Sequence, residues 1–287
     1  MSPSEVDTVQ SPVQRRAGHP VGLFLSELSV TFRRLRTYAL LAAYAAVPVL
    51  LGVVIYLFAS PGDHGGPNFI GSVVLNGVFL VFVSLFFLLP LFLPVGVAVV
   101  AGDSLAGEAH QGTLRYLLVA PAGRARLLFA KLLAVLVFCL AAALTVYLVA
   151  VAVGAILFPR GEVPSISGVS LSYGEGLWRG LLAAGYVAAS LTGLAAIGVF
   201  VSSLVETPLA AMATTVAVPL VSQILDAVPQ IEVIHAYLPT HYWLTLADLL
   251  RDPIYADNML TGLVVQLVYV LIFGSAAYAR MTTRDVA

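Results

Sequence analysis

The sequence predicts an all-α integral membrane protein with six transmembrane helices, an N-terminal amphipathic interface helix and both termini cytoplasmic. Three observations carry that expectation. Hydrophobic residues make up 60% of the 287 positions and charged residues 10%, where soluble domains run at roughly 45–50% and 25%. A soluble fold of this length needs more charge to cover its surface, so lipid is the expected solvent. Charge-free runs then locate the spans: Thr37–Gly62, His64–Gly102, Leu132–Pro159, Gly180–Val205, Thr207–Leu225 and Asn258–Ala279. Each has, or nearly has, the 20 or so residues a helix needs to cross the hydrocarbon core. Finally, with the N-terminus inside, Arg15, Arg16, Arg33, Arg34, Arg36, Arg115, Arg124, Arg126, Lys131, Arg280 and Arg284 fall on the cytoplasmic side, leaving Arg160, Arg179 and Arg251 outside. Basic residues favour the cytoplasmic loops, so this asymmetry sets the orientation.

Two function classes are excluded early. A net charge of −1 rules out nucleic-acid binding driven by bulk charge. The lone Cys139 rules out an intrachain disulfide and a cysteine-based metal site.

Taken in order, residues 1–18 are polar and rich in Pro and Ser and read as a disordered cytoplasmic tail. Residues 19–287 form the transmembrane domain. Arg15-Arg16 does not open a twin-arginine signal, because Glu27, Arg33, Arg34 and Arg36 interrupt the stretch after it. From Val21 to Arg36 the pattern favours an amphipathic helix along the inner leaflet. Leu23, Phe24, Leu28 and Leu35 share one face, and Glu27 and the arginines lie largely opposite.

The spans are expected at about 38–59, 69–100, 127–158, 178–205, 208–228 and 258–280. The second begins after a turn at His64–Asn68 and would be about 48 Å long as one helix. Pro90 and Pro94 interrupt it, so a kink or a projection beyond the bilayer is expected. The fourth is dense in small residues at four-residue spacing: Gly180, Ala184, Ala188, Thr192 and Ala196 in one row, and Gly185, Ala189 and Gly193 beside it. Such rows let helix backbones approach closely in lipid, within a subunit or across a dimer. Between the last two spans, the outer segment 229–257 reads as one or two short helices lying in, or dipping into, the outer leaflet, with Tyr242 and Trp243 at headgroup level.

The joint between the second and third spans, 101–126, is the most informative stretch. Asp103 or Ser104 is placed to cap a short helix, with Glu108 near its positive end. Gly112 is placed to end it, Thr113 to cap the next turn, Leu114–Val119, and Pro121-Ala-Gly123 to break the chain before Arg124. This reads as a compact, exposed helix–turn–helix knob fit to dock on another protein.

Gly102-Asp103, Gly107-Glu108, Gly112-Thr113-Leu114, Leu117-Leu118, Pro121, Arg124 and Lys131 together resemble the cytoplasmic loop of type-2 ABC transporter permeases, the membrane subunits of bacterial ATP-driven exporters. One departure is that Ala109 and His110 stand where the family often has a basic residue. The resemblance implies a permease of the bacterial inner membrane that moves substrate with ATP hydrolysed by a separate nucleotide-binding subunit. Asp103, Ser104, Gly107, Glu108, Gly112 and Thr113 would couple it to that ATPase. Arg33, Arg34, Arg36, Arg124, Arg126 and Lys131 are expected to serve as cytoplasmic anchors. The implied partners are the ABC ATPase, a second permease chain in a homodimer or heterodimer, and the bilayer, with no nucleic acid. ATP and Mg²⁺ would belong to the ATPase.

No catalytic residue, cofactor site or metal site is expected in this chain. It has no G-x-x-x-x-G-K-[ST] phosphate loop, and Lys131, its one lysine, lacks the glycines such a loop needs. His235 and His241, with Asp63 and His64 near the same face, match no standard metal-binding spacing. Neutral side chains inside the spans, among them Asn76, Ser84, Thr145, Ser202, Ser203, Thr215, Gln223 and Gln266, are expected to bond back to helix carbonyls or across helices. The competing reading is an ion-coupled secondary transporter or channel acting without an ATPase. Against it stands the lack of acidic residues near mid-span, which a proton or sodium relay normally needs.

Overall fold

A computed structural model describes residues 20–58, 70–110, 112, 123–165 and 167–283. The helices are α1 (Pro20–Arg33), α2 (Leu35–Phe58), α3 (Ile70–Leu75), α4 (Phe79–Leu88), α5 (Phe92–His110), α6 (Arg124–Leu157), α7 (Tyr173–Ser190), α8 (Thr192–Leu204), α9 (Pro208–Asp226), α10 (Glu232–His235) and α11 (Asp257–Thr283). Two-residue strands β1 (Val163–Pro164) and β2 (Ser170–Leu171) pair antiparallel, with Val163 opposite Leu171. Six helical stretches are long and apolar enough to cross a membrane: α2, α5, α6 without its first residue, the run from α7 through α8, α9 and α11.

The expected second span is three helices rather than one. Pro90 lies in the α4–α5 break, as its missing amide requires, and Gln223 of α9 donates to the Pro90 carbonyl at 2.8 Å. The other break, at Asn76–Val78, has no proline and was not expected. Asn76 is fully buried. Its carbonyl oxygen accepts from the Val78 amide at 2.9 Å, and its amide donates to the carbonyls of Gly161 and Glu162 at 3.0 and 3.3 Å. Beside it Gly77 meets Gly154 of α6 backbone to backbone, and a Cβ on either would strike the other. The turn expected at His64–Asn68 lies outside the described residues.

These breaks isolate α4, whose residues Phe79–Leu85 are at most 2% exposed. A helix apolar on every side belongs in an interior, and α6, α2 and α7 surround it. Around that core α5 packs on α8 and α9, α8 on α11, α2 on α6, and α1 on α6. The 34-residue α6, about 51 Å long, joins the two ends of the molecule.

The fourth span is α7 and α8, broken at Leu191. Ser172 caps α7, accepting from the Glu175 amide at 3.2 Å. The small-residue row packs within the chain: Gly180 faces Tyr147 of α6 and Val81 of α4, while Ala184, Ala188 and Ala196 are buried. In the neighbouring row Gly193 lies against Gln266 and Tyr269 of α11, and Gly185 is open.

The outer segment forms short helices, Pro229–Ile231, α10 and Trp243–Leu250. Trp243, Leu246, Leu249 and Leu250 are buried in the core, and the Trp243 indole donates to the Ser190 carbonyl at 3.1 Å.

Candidate functional site

The charged groups concentrate where α1, the end of α5 and the start of α6 meet. The expected α1 helix is present, with Leu23, Phe24, Glu27, Leu28, Thr31 and Phe32 as its half-buried face. Glu27 therefore points inward, contrary to expectation. It stands four residues after Leu23 and three after Phe24, in the middle of the apolar stripe. Leu35, expected on that face, is 83% exposed at the start of α2. The chain bends between α1 and α2, where Thr37 closes the joint by donating its amide to the Arg34 carbonyl at 3.0 Å and its hydroxyl to the Thr31 carbonyl at 2.6 Å.

Where an exposed knob was expected at 103–113, Asp103–Gly107 are instead the largely buried continuation of α5, and exposure returns at His110 and Gly112. α5 runs unbroken from Phe92 to His110, so neither Asp103 nor Ser104 is a cap. Ser104 donates to the Ala101 carbonyl within the helix at 2.6 Å. Asp103 is 7% exposed, and its Oδ2 receives both Arg34 and Arg36. Gly107, one turn on, makes room for that carboxylate: a Cβ there would sit 2.7 Å from Asp103 Oδ1. Gly112 does end the helix, at φ +71°, with its amide donating to the Ala109 carbonyl at 3.0 Å. Thr113 and residues up to 122 lie outside the described residues.

Lys131 is the second focus of charge. With its side chain 3% exposed, it donates to Glu27 at 2.9 Å and to Glu108 at 2.5 Å. It is therefore not a free anchor, and Arg34 and Arg36 are likewise engaged. Arg33 and Arg126 are exposed, and Arg124 opens α6. The clasp is neutral overall, with Glu27, Asp103 and Glu108 balanced by Arg34, Arg36 and Lys131. Buried charges are tolerated when paired in this way. A recess of about 20 Å³ between Arg34, Ser104, Glu108 and Lys131 is large enough for one water. The arrangement ties α1 to α6 through Glu27, α5 to α6 through Glu108, and α5 to the start of α2 through Asp103.

A second polar cluster lies on α7, which packs on the later half of α6 beside Tyr147. Arg179, 3% exposed, donates to Glu175 at 2.5 Å, to Asp252 at 3.1 Å and to the carbonyls of Arg251 and Leu249 at 2.6 and 3.2 Å. It pins the Trp243–Leu250 segment to α7. His241 bonds Asp226 at 2.6 Å, with His235 at 3.8 Å from the same oxygen. No group of three or more residues able to hold a metal occurs among the described residues. Asp63 and His64 lie outside them.

One residue of this region was placed on the wrong face in sequence: Glu27 had a visible signal, a lone charge within an apolar helical stripe. Ser202, expected to bond back to helix carbonyls or across helices, does the latter. It lies on α8, 1% exposed, and its hydroxyl reaches into α5, accepting from the Leu105 and Ala106 amides at 3.0 and 2.8 Å and donating to the Gly102 carbonyl at 2.6 Å.

A family model described as protein of unknown function (DUF2705) matches residues 49–287. The chain belongs to the DUF2705 family. The match covers α5, α6 and α8, hence Asp103, Glu108, Lys131 and Ser202 of the DUF2705 domain, and begins after α1 and its charged partners. No curated protein matches the chain.

Proposed function

We propose that this DUF2705 protein is the transmembrane permease subunit of an ATP-binding cassette exporter in the bacterial inner membrane, both termini cytoplasmic. A separate nucleotide-binding subunit would hold ATP and Mg²⁺ and hydrolyse the nucleotide, and a second permease chain would complete the path. The observation that carries the reading is the clasp. Of the residues of the permease-like loop, Asp103 bonds Arg34 and Arg36 where α1 gives way to α2, and Glu108 shares Lys131 with Glu27 of α1. A push on that loop therefore reaches α1 and the start of α6 together.

The geometry changes the roles the resemblance implied. Asp103 and Glu108 are engaged inside the chain and act as internal ties. In this reading the surface offered to the ATPase is the exposed end of α5 at His110 and Gly112. Motion passed from there through the clasp would tilt α2 and α6, which pack on each other.

The test is to purify the tagged full chain from membranes of its own host and identify what accompanies it. A nucleotide-binding subunit at one copy per permease, with ATP hydrolysis that falls in Asp103→Asn and Lys131→Met, supports the proposal. Cargo moved at full rate by the chain alone in liposomes would overturn it.

A further inference from the structure

We infer that Ser202 is the pivot of α5, its hydroxyl standing in that helix's own hydrogen-bond ladder and making the Gly102–Ala106 turn the place where the charged end rotates against the span. In an uninterrupted helix the Ala106 amide bonds the Gly102 carbonyl. Here the Ser202 hydroxyl lies between them, accepting from Ala106 at 2.8 Å and donating to Gly102 at 2.6 Å, with the Leu105 amide as a further donor at 3.0 Å. Each backbone group keeps a partner while the rung itself is free to lengthen. Inserted side chains are one of the few physical causes of a helix bend, and a buried helix bends cheaply only when no polar group is orphaned by the movement.

The surroundings place a rigid side and a tethered side on the two flanks of this turn. On the span side, a Cβ on Gly102 would lie 2.8 Å from the Met212 amide of α9, and one on Gly198, a turn before Ser202, would lie 2.7 Å from the Ala101 side chain. That wedge of α5, α8 and α9 leaves no room for sliding. On the other side Asp103 is held to the start of α2 and Glu108 to α6 by charge. Ion pairs tolerate a change of angle that close-packed backbones do not. The pivot makes Ser202 a positioning residue. Its use in coupling rests on the function proposed above, but its existence does not.

The experiment uses the full chain with Cys139→Ala, spin-labelled at His110→Cys and Leu204→Cys, in vesicles of phosphatidylethanolamine and phosphatidylglycerol, without nucleotide or partner. Ser202→Ala leaves the Ala106 amide no partner but Gly102 and narrows the distance distribution between the labels by about twofold, as expected when a hinge stiffens. Ser202→Thr, which keeps the hydroxyl, restores the parent's breadth. Equal breadth in parent and Ser202→Ala, or a Ser202→Thr distribution as narrow as that of Ser202→Ala, would overturn the pivot. Amide exchange on the unsubstituted chain supplies a second reading. Leu105 and Ala106 should exchange about tenfold faster than Val97–Val100 of the same helix, and uniform protection along α5 contradicts the proposal. Both measurements use the chain alone. Absence of an ATPase would leave the pivot standing, and a stiff α5 would leave the proposed docking untouched.

Discussion

Lys131 is where one side chain decides most. It is buried between two carboxylates, and removing one partner of a buried ion pair leaves uncompensated charge that costs about 3–5 kcal/mol. Lys131→Met should destabilise the chain by that order, read as thermal unfolding in detergent micelles. Adding Glu27→Gln and Glu108→Gln should recover most of the loss, because a neutral trio carries no orphaned charge. Asp103→Asn should cost less, about 1–2 kcal/mol, since Arg34 and Arg36 are 33% and 35% exposed and water rehydrates them. A Lys131→Met loss no greater than that of Asp103→Asn would show that the clasp is not the tighter tie.

At the scale of elements, the ends of the spans were legible and their breaks only partly so. Charges stop a span, and charges are visible in a sequence. Pro90 marked its break because proline removes a backbone donor wherever it stands. Asn76-Gly77 did not, because the reason for that break is Gly154, remote in sequence and close only once α6 is in place. The same limit explains the knob. Local capping chemistry favoured a helix starting at Asp103, and only the arginines beyond α1 reveal that this carboxylate is spent on an ion pair. Gly77→Ala should therefore destabilise more than a typical overpacking change of about 1–3 kcal/mol, since a backbone rather than a side chain would have to move. Arg179→Lys should release the Trp243–Leu250 segment, because one ammonium cannot reach four acceptors that a guanidinium fork spans. Faster amide exchange confined to residues 243–252 is the expected sign, and unchanged protection there would count against the pin.

Over the whole molecule the charges sort to the two halves of α6. The clasp gathers at Lys131 near its start, and Arg179 with its partners lies where α7 packs on the later half of α6 beside Tyr147. The asymmetry of basic residues predicts that the clasp end faces the cytoplasm. In a Cys139→Ala background, cysteines at His110 and Gly161, both exposed, should react with an impermeant maleimide from opposite sides of the membrane. Labelling of His110→Cys from outside intact cells would invert the topology.

The burial of α4 carries a consequence for how the chain is made. Ten residues cover about 15 Å, half the hydrocarbon core, and Phe79–Leu85 are enclosed by neighbours of which α6 and α7 are translated after them. A ribosome that has reached His110 has therefore delivered a greasy peg before the socket exists. Until α6 emerges, that peg has only α2 and α3, lipid or the insertion machinery to hold it, and its socket is closed only once α7 follows.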